Sequence, residues 1–289
     1  MIIVKLKGGL GNQLFQYAMA RQVAHFNNVN LKLDIESGLG AIEGVTARYY
    51  GLRPFNIIEN FASPEEIRNL KRGRIYNLLI EERKSYCRRS FIKERQFNFN
   101  PKILELPGNV YIEGYWQSEK YFKDIENIIR KEITLKKSIA DKYRELMGLI
   151  DKTNSVSIHI RRGDYITNKR SIEIIGSCSL DYCYGAIEKI FASVTSPYFF
   201  IFSDDIEWVK DNLKMQYPLT FISDGQSRDY EELILMGRCK HQIIANSSFS
   251  WWGAWLNDNP NKIVIAPRKW FNDISINTND LIPESWIKI

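Results

Sequence analysis

The sequence predicts an α/β protein with doubly wound parallel sheets, and two patterns carry that expectation. In the second half, short apolar runs alternate regularly with helix-like stretches. The chain also opens with an apolar strand, a glycine turn and a helix, the start of the same kind of unit. Alternation of this sort yields parallel strands joined by crossover helices, and 289 residues are enough for two such domains. The regular alternation begins just after residues 148–154, so the expected domains are residues 1–150 and 151–289.

In chain order, residues 2–6 read as the first strand and 14–26 as the first helix, with Phe15, Met19, Val23 and Phe26 on one face. Residues 29–34 read as the second strand. Residues 65–82 read as a helix, with Ser63 as its cap and Pro64 at the first helical position, where a missing N–H does no harm. A strand at 110–115 and helices near 120–132 and 138–150 complete the first half. The later strands are 156–160, 198–203, 219–222, 242–245 and 263–266. The helices between them are 181–192, 207–217, Asp229–Arg238 and 250–256. Ligands of such sheets sit at the carboxyl ends of the strands. The polar residues there are Arg161 to Asp164, Ser203 to Asp205, Ser223-Asp224 and Asn246 to Ser248, which should share one rim.

Composition narrows the functions. Apolar residues make up 44%, as in an ordinary soluble globular protein. No run approaches the roughly 20 apolar residues of a membrane span. Lys5 interrupts the opening apolar run, which is too short for a signal peptide, so a cytoplasmic location is expected. The four cysteines (Cys87, Cys178, Cys183 and Cys239) match no zinc spacing and read as buried free thiols. The net charge is +6, and much of the excess lies between Arg68 and Arg95. That segment is either a solvated helix face or an attractant for anionic partners. A nucleic-acid-binding module would use it, yet no nucleic-acid motif is present, and Asp204, Asp205 and Asp224 would repel phosphates.

Four stretches bear on chemistry. In Ser157-Ile158-His159-Ile160-Arg161-Arg162-Gly163-Asp164, the strand period puts His159 and Arg161 on the same face. The arginine fork suits phosphate oxygens, which makes this an anion site, or else an Arg–Asp pair closing a structural turn. Gly8-Gly9-Leu10-Gly11-Asn12-Gln13 joins a strand to a helix. Such a loop can bring backbone N–H groups to a phosphate, or simply make a tight turn. Leu14 stands where a dinucleotide fingerprint needs its third glycine. Ser203-Asp204-Asp205 offers a carboxylate that could accept from a guanine edge or cap the next helix. Ser247 and Ser248 precede a helix whose Trp251 and Trp255 read as core.

Together these residues resemble the inverting α-1,2-fucosyltransferases of the bacterial type that lacks a membrane anchor. The matching stretches are Gly8 to Ala18, Gly114-Tyr115-Trp116-Gln117-Ser118, His159 to Tyr165, Phe202-Ser203-Asp204-Asp205, and Ala245 to Gly253, in the family's order. The resemblance implies a GT-B-like fold, two Rossmann-like doubly wound domains facing across a cleft, with the acceptor on the first and the GDP-sugar on the second. It implies transfer of L-fucose from GDP-β-L-fucose to the 2-OH of a β-linked galactose, without a metal or other cofactor. Transferases using another nucleotide sugar are the alternative. By the same likeness Arg161 binds the diphosphate, and His159 with Asp204 or Asp205 contacts guanine. Ser247, Ser248 and Phe249 complete the donor site, and Gly11 and Asn12 face it from the first domain. Asp164 is the expected catalytic base, its alternative role being to orient an arginine. No acceptor-binding residue is named. The implied partner is a galactose-containing oligosaccharide or lipid-linked glycan of O-antigen or capsule synthesis. Arg83, Lys84, Arg88 and Arg89 would hold the enzyme at the inner membrane face.

Overall fold

The computed structural model describes residues 1–42, 45–71, 85–139, 141–225 and 227–289. They form two compact units: Met1–Lys137 with Asn277–Leu281, and Ser138–Ile276 with Ile282–Ile289. The division falls at Lys137–Ser138 and not near residue 150. The reason is the helix at Arg144–Lys152, whose Leu146, Met147, Leu149 and Ile150 pack against Phe200 and Phe202 of the second unit.

Unit 1 runs β1 (Ile2–Lys5), α1 (Leu10–Phe26), β2 (Leu31–Asp34), β3 (Gly40–Ile42), β4 (Val45–Arg48), α2 (Pro64–Lys71), β5 (Phe91–Lys93), β6 (Val110–Glu113) and α3 (Glu126–Glu132). Its sheet is parallel, in the order β2-β1-β6-β5, while β3 and β4 form a separate antiparallel pair. Helix α1 starts at Leu10, earlier than the apolar spacing suggests. Gly9 is extended and its carbonyl accepts from the N–H of Gln13, which opens the helix. Phe15, Met19 and Val23 are buried as expected, but Phe26 in the last turn is 72% exposed. Ser63 caps α2 as predicted. Its Oγ accepts from Glu66 N and the Glu66 carboxylate accepts from Ser63 N, a reciprocal capping box. The rest of the predicted helix beyond Lys71, including Arg83 and Lys84, lies outside the described residues. The short return at Asn277–Leu281 is tied down by Asp280, which accepts from Phe99 N at 3.0 Å and pairs with Lys120 at 2.6 Å.

Unit 2 runs α4 (Arg144–Lys152), β7 (Asn154–Ile160), α5 (Gly163–Thr167), α6 (Lys169–Ile174), α7 (Leu180–Phe191), β8 (Pro197–Ser203), α8 (Ile206–Asn212), β9 (Leu219–Phe221), α9 (Asp229–Arg238), β10 (His241–Ile243), α10 (Ser248–Leu256), β11 (Val264–Ala266) and β12 (Ile287–Lys288). All six strands are parallel, in the order β12-β11-β10-β7-β8-β9. One face packs Val156, Ile158, Ile160, Phe199 and Ile201 against Ala186, Ile187 and Ile190 of α7. The other places Phe200 and Phe202 under α4 and α9. A parallel sheet covered on both faces explains why β7 and β8 are so apolar. Helix α8 ends five residues before the expected Tyr217. Tyr217 precedes Pro218, and a residue before proline is pushed out of the helical region. Trp251 and Trp255 are core, stacked with centroids 6.2 Å apart. Cys178, Cys183 and Cys239 are free thiols. Among the described residues no helix is long and apolar enough to cross a membrane.

Candidate functional site

The carboxyl ends of β7, β8 and β10 bring together the polar residues singled out in unit 2. Arg161 leaves β7 and donates to Asp164 Oδ1 at 2.6 Å and lies 3.1 Å from Asp204 Oδ2. The neighbouring Arg162 gives its backbone N–H to Asp204 Oδ1 at 2.8 Å and its Nε to Asp205 Oδ2 at 3.1 Å. The Arg162 guanidinium also lies flat over the Trp208 ring, 3.3 Å from its centroid. Neither aspartate caps α8 with its side chain, so both carboxylates belong to the arginines instead. Gly163 is required where these groups cross, because a Cβ there would overlap the Asp204 carboxylate. Asp164 sits in the arginine-orienting geometry that the sequence left open beside its role as a base.

His159, 6% exposed, lies on the same strand. Its Nδ1 has no hydrogen-bond partner among the described residues. Burial, with the nearby charge of Arg161, pushes its pKa down to about 3, so the ring is neutral across the working pH range. A neutral ring with an unmatched buried nitrogen can meet a ligand's hydrogen-bonding edge. The Phe249 ring packs beside it at 5.7 Å between centroids. Phe249 N donates to Ser247 Oγ at the start of α10, and Ser248 and Phe249 are half-buried there. Tyr165 OH donates to Asn246 O, which ties the turn after β7 to the turn after β10. Asn246 itself is a clamp, its amide donating to the carbonyls of Gly176 and Trp270.

The glycine turn of unit 1 is fixed by two buried glutamines of α1. Gln13 donates to Gly8 O and Tyr49 O and accepts from Gly51 N. Gln16 bonds both the N–H and the carbonyl of Lys7. Gln13 is therefore occupied with main chain. Asn12 Oδ1 accepts from Gln117 Nε2 at 2.6 Å, so the first two matching stretches meet, with Gly11 buried beside them. Gly8 adopts φ +77°, and a Cβ there would sit 2.5 Å from Asn12 Nδ2.

Two carboxylates escaped the sequence reading. Glu232 of α9 is pushed up to about 7 by burial against hydrogen bonds from Ser223 and Ser227, at the same rim as β8. Glu94, just past β5, accepts from Tyr115 N at 2.6 Å and Trp116 N at 3.0 Å, and burial raises its pKa. β5 is three residues long in a basic stretch, so no periodicity marked its end. Of the basic group, Arg88 is exposed and Arg89 lies 4.3 Å from the Tyr86 ring.

The profile of glycosyl transferase family 11 matches residues 1–289. The chain belongs to glycosyl transferase family 11. It is 35% identical to the alpha-1,2-colitosyltransferase of Escherichia coli, covering 100% of this chain and 99% of that one. It is 30% identical to the O-antigen biosynthesis glycosyltransferase WbnK of Escherichia coli, over 98% and 99% of the two chains. Among solved structures, a mutant of Arabidopsis thaliana FUT1 in complex with GDP superposes with a TM-score of 0.53 at 10% identity, covering 92% of this chain and 70% of that one. That likeness speaks to the fold, the GT-B-like pair of Rossmann-like units expected from the sequence. The family 11 chain is thus a glycosyltransferase of the fucosyltransferase type.

Proposed function

We propose that this family 11 enzyme transfers L-fucose from GDP-β-L-fucose to the 2-OH of a β-linked galactose, with inversion and without a metal, in surface-glycan synthesis. The observation that carries the reading is the rim at β7 and β8, where Arg161 and the carboxylates of Asp164 and Asp204 adjoin the unmatched nitrogen of His159. Three carboxylates there face two guanidiniums, so one of Asp204 and Asp205 can accept from a guanine N1–H and amino group. Arg161 has five donors, and those not held by the aspartates serve the diphosphate. As the C1–O bond breaks, charge grows on the β-phosphate, and a prepositioned guanidinium with the start of α10 stabilises it. Ser247, Ser248 and Phe249 line that start.

A second donor reading has its own support. The relative at 35% identity is a colitosyltransferase, and colitose is fucose without its 3-hydroxyl. Either sugar would arrive on GDP. GDP should therefore raise the melting temperature without added magnesium, and transfer to a β-galactoside should follow from GDP-fucose or GDP-colitose. Turnover of a UDP-sugar alone, or no stabilisation by millimolar GDP, refutes both readings.

A further inference from the structure

Two arginines and three aspartates meet at the rim of unit 2, and they could pair in more than one way. Arg161 and Arg162 are neighbours, and Asp164, Asp204 and Asp205 each lie against one of them. The structure shows a single arrangement. Arg161 takes Asp164 Oδ1 at 2.6 Å and Asp204 Oδ2 at 3.1 Å. Arg162 takes Asp205 Oδ2 at 3.1 Å through Nε, and it meets Asp204 Oδ1 only through its backbone N–H, at 2.8 Å. Charge alone does not choose this arrangement, because every alternative pair also joins opposite unit charges at similar distances.

The group that chooses is aromatic. The Arg162 guanidinium sits over the Trp208 ring, its Cζ 3.3 Å from the ring centroid. The Arg162 side chain is 18% exposed, and a cation gains most from a ring face where water is largely excluded. Trp208 lies in the first turn of α8, three residues after Asp205. That spacing puts ring and carboxylate on the same side of the helix start. Together they draw the Arg162 guanidinium toward α8 and leave Asp204 Oδ2 to Arg161. Trp208 also edges the core between the sheet and α7, so packing accounts for an apolar residue at this position. Packing does not account for the guanidinium over its face, since a leucine would cover the core as well.

We propose that Trp208 is a positioning residue of the donor site, holding Arg162 on α8 so that Asp204 keeps the Arg161 fork aimed for the diphosphate. This rests on the transferase reading above. Trp208 touches no reacting atom and acts through Arg162. The anchored side chain fixes the turn whose N–H binds Asp204 Oδ1, and Asp204 Oδ2 with Asp164 sets the direction of the Arg161 fork. A fork set before the donor arrives needs no reorganisation when charge grows on the β-phosphate. Without the ring, the Arg162 guanidinium competes for Asp204, and the fork loses one of its two holders.

The test uses the full chain, with GDP-fucose and lactose for transfer and GDP as the binding probe, well below the melting temperature of every variant. Trp208→Leu keeps the apolar cover and removes the ring face. It should lower kcat/KM for GDP-fucose about 10-fold, equivalent to about 1.4 kcal/mol and within the range of a partly buried cation–π contact. It should weaken GDP binding, read by calorimetry, and leave KM for lactose unchanged. Trp208→Phe retains a ring face and should recover most of the loss. A double-mutant cycle supplies a readout that a purely structural role would not move: in the Arg162→Met background, Trp208→Leu should weaken GDP binding no further. If Trp208→Leu lowers only the melting temperature, or if its effect on GDP binding adds in full to that of Arg162→Met, Trp208 does not act through Arg162 and the proposal is overturned. The calorimetric arm holds for any GDP-sugar donor. If the wild type binds no GDP, the transferase reading itself falls and takes this assignment with it.

Discussion

The depressed basicity of His159 has a consequence for stability that can be measured without any substrate. The unfolded chain titrates a histidine near 6.5, while in the fold burial holds His159 to about 3. Between those values the unfolded state binds a proton that the folded state refuses, so stability is fully present above 6.5 and declines as pH falls. Each pH unit in that window is worth about 1.36 kcal/mol, so the loss at about pH 4.5 is on the order of 2–3 kcal/mol. His159→Asn cannot titrate. Its own packing loss is nearly the same at both pH values and drops out when the two conditions are compared. Urea unfolding of wild type and variant at about pH 7.5 and pH 4.5 isolates the effect, because the other histidines are common to both. Tryptophan fluorescence follows unit 2, which contains Trp208, Trp251, Trp252, Trp255, Trp270 and Trp286. Wild type should lose about 2–3 kcal/mol more than His159→Asn on acidification. Parallel losses would show that His159 is protonated in the fold and would refute the reasoning.

Other outcomes follow from the same structure. Arg161→Lys keeps the charge but loses the fork, so kcat/KM should fall by about 10- to 100-fold and GDP-induced stabilisation should shrink. Gly163→Ala should reduce both activity and melting temperature, because its Cβ displaces the Asp204 carboxylate from Arg161 and Arg162. Asp34 is buried; burial alone would raise its pKa, but bonds from Ser37 and Tyr111, with Lys71 nearby, hold it below the ordinary range. Its contribution is present above the usual carboxylate pKa and lost as pH falls, so Asp34→Asn should destabilise by about 1–3 kcal/mol at neutral pH and less in acid, read by urea titration. Anionic-vesicle binding should disappear when Arg83, Lys84, Arg88 and Arg89 are replaced by glutamine, and retained binding refutes the membrane contact.

The second half was legible because its strands are buried on both faces and so spell continuous apolar runs, each closed by a polar rim. His159, Arg161, Asp164, Asp204 and Asp205 were found because they end those runs. What each rim residue contacts was not legible. Asp204 and Asp205 read as helix caps or guanine contacts; in the fold their side chains meet Arg161 and Arg162, reached only through the β7–β8 register. Glu94 and Glu232 were invisible for a different reason. Their chemistry comes from burial by distant segments, which no local pattern records. Phe26 shows the reverse failure: the helical spacing was right, but the helix outruns the core it packs on.

The return of Asn277–Leu281 to unit 1 bears on synthesis. Most of unit 1 leaves the ribosome before unit 2, and domains ordinarily fold in the order of their synthesis. Here Asp280, the partner of Phe99 N and Lys120, is made only after nearly all of unit 2. The nascent first unit must wait for Asn277–Leu281 to close its own contacts, so a premature stop before that segment leaves both units unfinished.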